Sequence, residues 1–274
     1  MKEPSSPDPE EREKGNSATS SGVWNSKLHF AWEAVLTRMP DVPSKEKSKS
    51  KPKESSPRLN FTDFWIDVVD NGLFASSSSE ERKYWGFLLF IKVLNDGPPG
   101  QAAQVFTKNL VRSLMNQLAA EERYLHRIAV KAAKSIHSRV AKEPGFAAAS
   151  VNGLMGPGGS VTFDQATKTK TVEKIVTEAN VDALKQIVPL FEKLVAQAGT
   201  SDAKAAAASR QCLASLLLAI VRARASSQDS DDDLESILED ILFTFVRFAY
   251  FVDNSENQSA QPALTEQTQE LFRS

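Results

Sequence analysis

The chain has 274 residues, of which 41% are hydrophobic and 25% are charged. This composition excludes a chain that is disordered throughout, because it supplies enough apolar surface for a core in about one or two domains. The 33 Lys and Arg residues nearly balance the 35 Asp and Glu residues, which gives a net charge of −2. A near-neutral balance argues against a nucleic-acid binder, since such proteins usually carry a basic excess.

The cysteine content and the N-terminus both bear on the cellular compartment. Cys212 is the single cysteine, so the chain cannot form an internal disulfide. The first residues contain no apolar stretch of the kind that a secretory signal peptide requires, which also favours a reducing intracellular compartment. The longest apolar runs, such as Leu213 to Val221, are shorter than the roughly 18 residues that span a bilayer. We therefore expect a soluble protein with no membrane partner.

The first part of the chain has the composition of a disordered segment. Seven of the 13 prolines lie in the first 57 residues, together with many Ser, Lys and Glu residues. We expect a disordered tail over residues 1–25 and a polar insert over residues 40–58. Between them, apolar residues at helical spacing predict an amphipathic helix from Ser26 to Met39. The insert carries a lysine run typical of a nuclear-import signal, a nucleic-acid tail or a solubilising linker: Lys45, Lys47, Lys49, Lys51 and Lys53.

From residue 60 onward, helical periodicity recurs and no segment shows the alternation of a β-strand. Ser78 followed by Glu81 predicts a capping box at the start of one helix, and Pro189 predicts a kink or break in another. The Gly- and Ala-rich stretch within residues 143–162 predicts a flexible loop, and residues 253–274 predict a C-terminal linker with room for one short helix. Helices are predicted near residues 61–69, 78–94, 105–118, 125–140, 172–177, 181–195, 203–225 and 234–248.

These elements predict an all-α helical-repeat domain over residues 26–252. Each helix has an apolar face too narrow to form a core alone, and the linkers are short, which favours antiparallel helices stacked as an armadillo- or HEAT-like α-solenoid. No strict sequence period is present, so a compact helical bundle remains the alternative. Aromatic residues between positions 61 and 90 recur at helical spacing, which predicts a place in the core rather than in a base-stacking groove.

The acidic residues do not form a catalytic pattern. Polymerase chemistry needs carboxylates that hold two metal ions about 4 Å apart, whereas Asp229 to Asp233 are nearly consecutive and precede an apolar helix. We interpret them as a helix cap and a solvated loop. The histidines His29, His126 and His137 lack metal-ligand spacing, and Cys212 lies on the apolar side of a helix. We expect no catalytic residue, no metal site and no cofactor.

A basic segment is the most informative feature of the sequence. Residues 108–142 contain eight Lys and Arg residues against two Glu residues, a net charge of +6, whereas Asp229 to Asp240 carries −7. The overall charge of −2 therefore combines two separate surfaces. Rotation of about 100° per residue places five cations within an arc about 100° wide, opposite apolar residues. This face suits sequence-independent phosphate contact, with an ordinary solvated helix face as the alternative. The candidate nucleic-acid-binding residues are Arg123, Arg127, Lys131, Lys134 and Lys142.

Four strings from about Ser26 to about Phe251 resemble the fungal DNA polymerase phi family, which includes the vertebrate Myb-binding protein 1A. These strings are SKLHFAWEAVL, FTDFWIDVVDNGLFASSSSEERKYWGFLLFIKVL, FTKNLVRSLMNQLAAEERYLHRIAVKAAKSI and TKTVEKIV. Compared with the family that it resembles, we expect the chain to be without the N-terminal repeats, the downstream solenoid and the basic tail. The resemblance therefore implies an internal segment or a truncated member.

The resemblance implies a nuclear, mainly nucleolar scaffold that acts in rRNA gene transcription, rRNA processing and ribosome biogenesis. Its expected partners are rDNA or pre-rRNA and pre-ribosomal or transcription proteins, with no small-molecule ligand. The family name implies a DNA polymerase, which would have to use acids such as Asp231 and Asp233, although the sequence shows no polymerase constellation. A transcription co-regulator that acts only through protein contacts is the third hypothesis.

Overall fold

The structure of the chain is a computed structural model, which describes residues 26–39, 60–197, 203–225 and 232–250 together with residues 269, 270 and 273. The described residues form helices and turns without any β-strand, which confirms the all-α class. The predicted tail over residues 1–25, the insert over residues 40–58 with its lysines, and most of residues 253–274 lie outside the described residues.

Twelve helices follow one another within the described ranges. We number them in chain order, and the second begins as an α-helix and continues as a π-helix. Their bounds are α1 Phe30–Leu36, α2 Phe61–Phe64 with its π-helical part Trp65–Leu73, α3 Glu80–Asp96, α4 Pro99–Gln104, α5 Lys108–Leu118, α6 His126–Lys142, α7 Phe146–Met155, α8 Phe163–Thr167, α9 Thr171–Glu178, α10 Val181–Gln197, α11 Ala203–Ala225 and α12 Asp232–Tyr250.

The starts of α1 and α3 and the course of α10 differ from the prediction. The first helix begins only at Phe30, where the Nδ1 atom of His29 accepts a hydrogen bond from the Ala31 amide at 3.2 Å. The cap of α3 is Ser79, whose Oγ accepts a hydrogen bond from the Arg82 amide, so the predicted capping residue Ser78 was wrong by one position. Helix α10 runs from Val181 to Gln197 without a break, and the exposed Pro189 lies inside it.

The helix predicted over residues 105–118 begins only at Lys108, and the cause is a carboxylate from another part of the chain. Asp70, at the end of α2, is buried and faces the start of α5. Its Oδ1 atom accepts hydrogen bonds from Thr107 Oγ1 at 2.6 Å, from the Asn109 amide at 3.0 Å and from the Leu110 amide at 2.9 Å. Asp70 therefore satisfies amides that an N-cap residue usually satisfies, and a new helix begins at Lys108.

The loop predicted within residues 143–162 is wrong for its central part, because Phe146–Met155 forms α7. Its buried residues include Ala147, Val151 and Leu154, whose spacing of four and three residues is helical. The high Gly and Ala content concealed this pattern. Gly153 lies under the ring of Phe106, with which a β-carbon at that position would collide. The glycine therefore allows close packing between the loop before α5 and α7.

A single hydrophobic core runs through the described residues from Met39 to Ala249. Trp65 is completely buried, and its indole nitrogen donates a hydrogen bond to the Val105 carbonyl at 3.1 Å. Helices that pack closely against each other are near neighbours along the chain. The partner of a helix is at most the third helix before or after it, as for α3 with α6 and α7 with α10. The aromatic residues predicted to be core are mostly buried: Phe61, Phe64, Trp65, Phe74, Phe87 and Phe90.

The prediction that no segment is long and apolar enough to span a bilayer was wrong for α11. By length and composition alone, Lys204–Ala225 is long and apolar enough to cross a membrane. In the fold, however, Leu213, Leu217 and Ile220 of this helix are completely buried, and α11 packs against α9, α10 and α12. A core helix of a helical protein meets the same length and composition criteria, and α11 has the packing of such a helix.

Candidate nucleic-acid interface

Helix α6 carries most of the predicted basic residues and is held firmly by its neighbours. It packs against α3, and α5, α7 and α9 also contact it. At its start, Gln117 Oε1 accepts a hydrogen bond from the Leu125 amide at 3.2 Å, and His126 Nδ1 lies 2.9 Å from the Gln117 carbonyl oxygen. Ala132 and Ile136 are completely buried. The opposite face of the helix is therefore presented to solvent.

All five predicted nucleic-acid-binding side chains are exposed, and we call them the basic stripe: Arg123, Arg127, Lys131, Lys134 and Lys142. Four of them lie on α6, so the helical rotation places them together. The prediction that Arg123 lies on the same helix as the other four was wrong, because α6 begins only at His126. Arg123 lies in the preceding turn, where its carbonyl accepts a hydrogen bond from the His126 amide at 2.9 Å. It therefore adjoins the N-terminal end of α6.

Some cations of the described residues form ion pairs, and those of the basic stripe do not. Lys92 pairs with Glu33 at 3.0 Å, and Lys185 pairs with Asp233 at 2.8 Å. Across the described ranges, no carboxylate lies within ion-pair distance of a stripe side chain. An ordinary solvated helix often mixes opposite charges at a spacing of four residues, whereas α6 contains no acidic residue. The stripe is therefore a positive surface that its own helix does not neutralise.

Arg139 shows that the basic segment also contains a purely structural cation. Its side chain is buried, and Nη1 donates hydrogen bonds to the carbonyls of Leu94 at 3.0 Å and Gly97 at 2.8 Å. Its Nε donates to Glu143 Oε2 at 3.1 Å. These carbonyls belong to the C-terminal end of α3, where a helix favours a positive charge. Arg139 thus joins α6 to α3 and is not available to a ligand.

The two histidines that flank the stripe, His126 and His137, are half-buried, whereas the lysines of the stripe are exposed. Burial lowers the pKa of His137 below its ordinary value of 6.5, and the positive charge of Lys174 acts in the same direction. The charges of Glu178 and Asp164 oppose this shift without cancelling it. His137 is therefore neutral at pH 7, and the charge of the stripe does not depend on it.

The acidic residues at the start of α12 form a helix terminus, as predicted for those that the structure describes. Asp232, Asp233 and Glu235 lie in the first turn of α12, and Asp232 and Asp233 are exposed. Asp229 and Asp231 lie outside the described residues. Within residues 26–39, 60–197, 203–225 and 232–250, no group of three or more His, Cys, Asp and Glu side chains is placed to hold a metal ion.

Cys212 is a core residue of α11, as the sequence predicted. It is buried, and its thiol donates a hydrogen bond to the Val161 carbonyl at 3.3 Å. Burial raises the pKa of the thiol from 9.0 to about 11, and the charge of Asp164 adds to the shift. Because the thiolate is the reactive form, this environment suppresses nucleophilic chemistry at Cys212.

We expect Cys212 to react about a hundredfold more slowly with iodoacetamide at pH 8 in the folded chain than in urea. The reason is that a thiol pKa near 11 leaves far less thiolate at pH 8 than the ordinary value of 9.0. Mass spectrometry of timed samples measures the two rates, and Cys212→Ser supplies the blank. Equal rates in the folded and unfolded chains would contradict the burial of this thiol.

Comparison with known proteins identifies the family. The sequence model of DNA polymerase phi matches residues 1–274, the whole of the chain. The chain belongs to the DNA polymerase phi family. This finding confirms the resemblance that the four sequence strings indicated.

Two relatives of this DNA polymerase phi family member are longer than the chain, which matches only part of each. The rDNA transcriptional regulator pol5 of Schizosaccharomyces pombe is 29% identical over 256 residues, which is 92% of this chain and 25% of that protein. The rDNA transcriptional regulator POL5 of Saccharomyces cerevisiae is 30% identical over 61% of this chain and 18% of its own length. The chain thus spans about a quarter or less of either relative. No solved structure matches it significantly.

Proposed function

We propose that this chain is a non-catalytic helical scaffold of the nucleus and nucleolus that binds rDNA or pre-rRNA through the basic stripe, in rRNA gene transcription and ribosome biogenesis. The observation that carries the proposal is the exposed, unpaired stripe on a helix whose opposite face is buried. The names of both relatives, rDNA transcriptional regulators, support a role in rDNA transcription and hence in the nucleus.

The dimensions of the stripe suit contact with a phosphate backbone. Arg127 and Lys142 are 15 residues apart on α6, which corresponds to about 22 Å along the helix. This length is roughly two thirds of one turn of a DNA duplex, along which both strands present phosphates. Since the stripe offers cations without an aromatic or amide pattern for reading base edges, we expect binding that is independent of sequence and sensitive to salt.

We further propose that the helices stack as an α-solenoid. The supporting observation is that packed helix pairs in the described residues lie within three positions of one another in helix order. Such neighbour-to-neighbour packing is the property that defines a stacked repeat. A solenoid would display α6 on an extended surface, on which a nucleic acid can follow several helices.

Reversing two charges on α6 tests the function. For Arg127→Glu with Lys131→Glu, we expect the dissociation constant for a labelled duplex of 20 base pairs to rise between tenfold and a hundredfold, because two phosphate contacts become repulsive. The slope of log affinity against log salt should decrease by about 2. Fluorescence anisotropy at several salt concentrations measures both quantities. The same measurement with a single-stranded RNA of equal length tests binding of pre-rRNA.

The matched control is Arg82→Glu with Lys193→Glu, which changes the net charge equally at exposed residues of α3 and α10. We expect this variant to change affinity much less than the stripe variant does. If both variants lose the same affinity, binding follows net charge alone, and the stripe is ordinary solvated surface. If neither variant loses affinity, the proposal is wrong.

A further inference from the structure

A second basic site lies on α5, outside the stripe. A cavity of about 250 Å³ that is open to solvent lies between α5 and the turn that follows α7. Lys108 and Arg112 contribute its positive charge, and Asn116, one further turn along α5, contributes an amide. The opposite wall is the Pro-Gly-Gly-Ser turn over residues 157–160. The sequence suggested neither the cavity nor its partners, because the two segments are separated by more than forty residues.

The two cations of this cavity are available to a ligand. Lys108 and Arg112 are exposed, and no carboxylate within the described part of the chain forms an ion pair with either. Their spacing of four residues places them one above the other on the same face of α5. Asp70, a buried acid of α2 that contacts the start of α5, accepts hydrogen bonds from Thr107, Asn109 and Leu110 instead.

The glycine turn shapes the opposite wall of the cavity. At Gly156, a β-carbon would collide with the Asn152 carbonyl, and at Gly159 it would collide with the Leu154 carbonyl. The Gly159 amide bonds to the Gly156 carbonyl at 2.9 Å, and the Ser160 amide bonds to the Leu154 carbonyl at 2.9 Å. These hydrogen bonds join the turn to the C-terminal end of α7.

We propose that this cavity binds one backbone phosphate of a nucleic-acid strand and gives the chain a second contact point besides the basic stripe. The inference rests on the proposed function and extends it to a named site. A volume near 250 Å³ accepts a phosphate group but is below the roughly 300–1,000 Å³ of pockets that enclose whole small molecules. The cavity can therefore hold the phosphate group while the rest of the strand remains outside.

A nucleic acid fits this site better than a phosphorylated peptide. Peptide recognition needs subsites for side chains beside the phosphate. The apolar side chains that line this cavity are Met115 and Pro157, which offer little surface for such subsites. A nucleic-acid backbone requires only repeated positive contacts, which α5 supplies in this cavity and α6 supplies along the stripe.

Gly158 offers a sharp test because it lies in the wall of the cavity. A β-carbon at Gly158 would lie 3.6 Å from Lys108 Cα and 3.7 Å from its amide nitrogen, which are ordinary contacts. Gly158→Asp therefore adds a carboxylate beside Lys108 and removes no cation. Gly158→Asn has nearly the same shape without the charge. The two variants thus isolate the electrostatic contribution of the cavity.

We expect Gly158→Asp to weaken binding of the labelled 20-base-pair duplex about tenfold and to reduce the salt slope by about 1, while Gly158→Asn binds as the unaltered chain does. Lys108→Gln with Arg112→Gln should produce a similar loss, and Arg82→Gln with Lys193→Gln is its matched control. Thermal unfolding verifies that each variant is folded. If Gly158→Asp does not fold, the Lys108 and Arg112 pair decides the question alone.

The outcomes separate this site from the stripe. Loss of affinity in the cavity variants supports the inference, and it does so even where the stripe variants bind normally and the proposed function of the stripe fails. Normal binding by folded cavity variants overturns the inference, even where the stripe variants lose affinity. If Gly158→Asp weakens binding of a phosphoserine peptide and leaves binding of DNA and RNA unchanged, the assignment to nucleic acid is overturned.

Discussion

Replacing Arg139 with methionine is expected to lower the free energy of unfolding by about 4 kcal/mol, because a buried and a half-buried carbonyl lose their partner. The guanidinium of Arg139 donates to the carbonyls of Leu94 and Gly97 at the C-terminal end of α3. Methionine fills much of the same volume but supplies no donor, so the loss reports the hydrogen bonds more than a cavity. Urea unfolding followed by circular dichroism measures the change.

Lys142→Met is the matched control, since it removes the same charge from the same helix at an exposed position. Surface substitutions of this kind usually change stability by less than about 0.5 kcal/mol. The two variants are expected to have opposite phenotypes, with stability lost in Arg139→Met and nucleic-acid affinity reduced in Lys142→Met. Equal stabilities would show that Arg139 does not hold α6 to α3.

The second large effect is expected at Asp70. We expect Asp70→Ala to lower the free energy of unfolding by about 3 kcal/mol, because the amides of Asn109 and Leu110 and the hydroxyl of Thr107 lose a charged acceptor. The start of α5 should then fray, which hydrogen exchange at the Leu110 amide would detect as faster exchange. Urea unfolding measures the stability itself.

Two companion variants sharpen the test at Asp70. Asp70→Asn keeps one oxygen acceptor and should lose less stability than Asp70→Ala. Asp67→Ala removes an exposed carboxylate from the same helix and should have little effect. If Asp67→Ala destabilises the chain as much as Asp70→Ala does, the contact with α5 is not the cause.

Local patterns predicted much of this fold because the relevant signals lie within single helices. The apolar periodicity of α6, α9, α11 and α12 located these helices to within a few residues, and rotation about α6 identified its exposed cations. The burial of Cys212 and the role of the acids that begin α12 followed from the same reasoning. These features depend on neighbours in the sequence, which a single sequence displays.

Tertiary contacts account for what the sequence did not predict. Asp70 caps a helix that begins 38 positions later, and Arg139 caps one that ended more than forty positions earlier. No local pattern records such partners, so the sequence counted Arg139 in the charge of its segment without showing what it binds. The cavity beside Lys108 and Arg112 likewise exists only because α5 and the glycine turn meet in space.

The short separation in helix order between packed helices has a kinetic consequence. Chains whose contacts are close in sequence have a low contact order and fold quickly, since each pairing closes a modest loop. Helices α3 to α6 can therefore pack before α10 to α12 have been synthesised, and we expect this chain to begin folding on the ribosome.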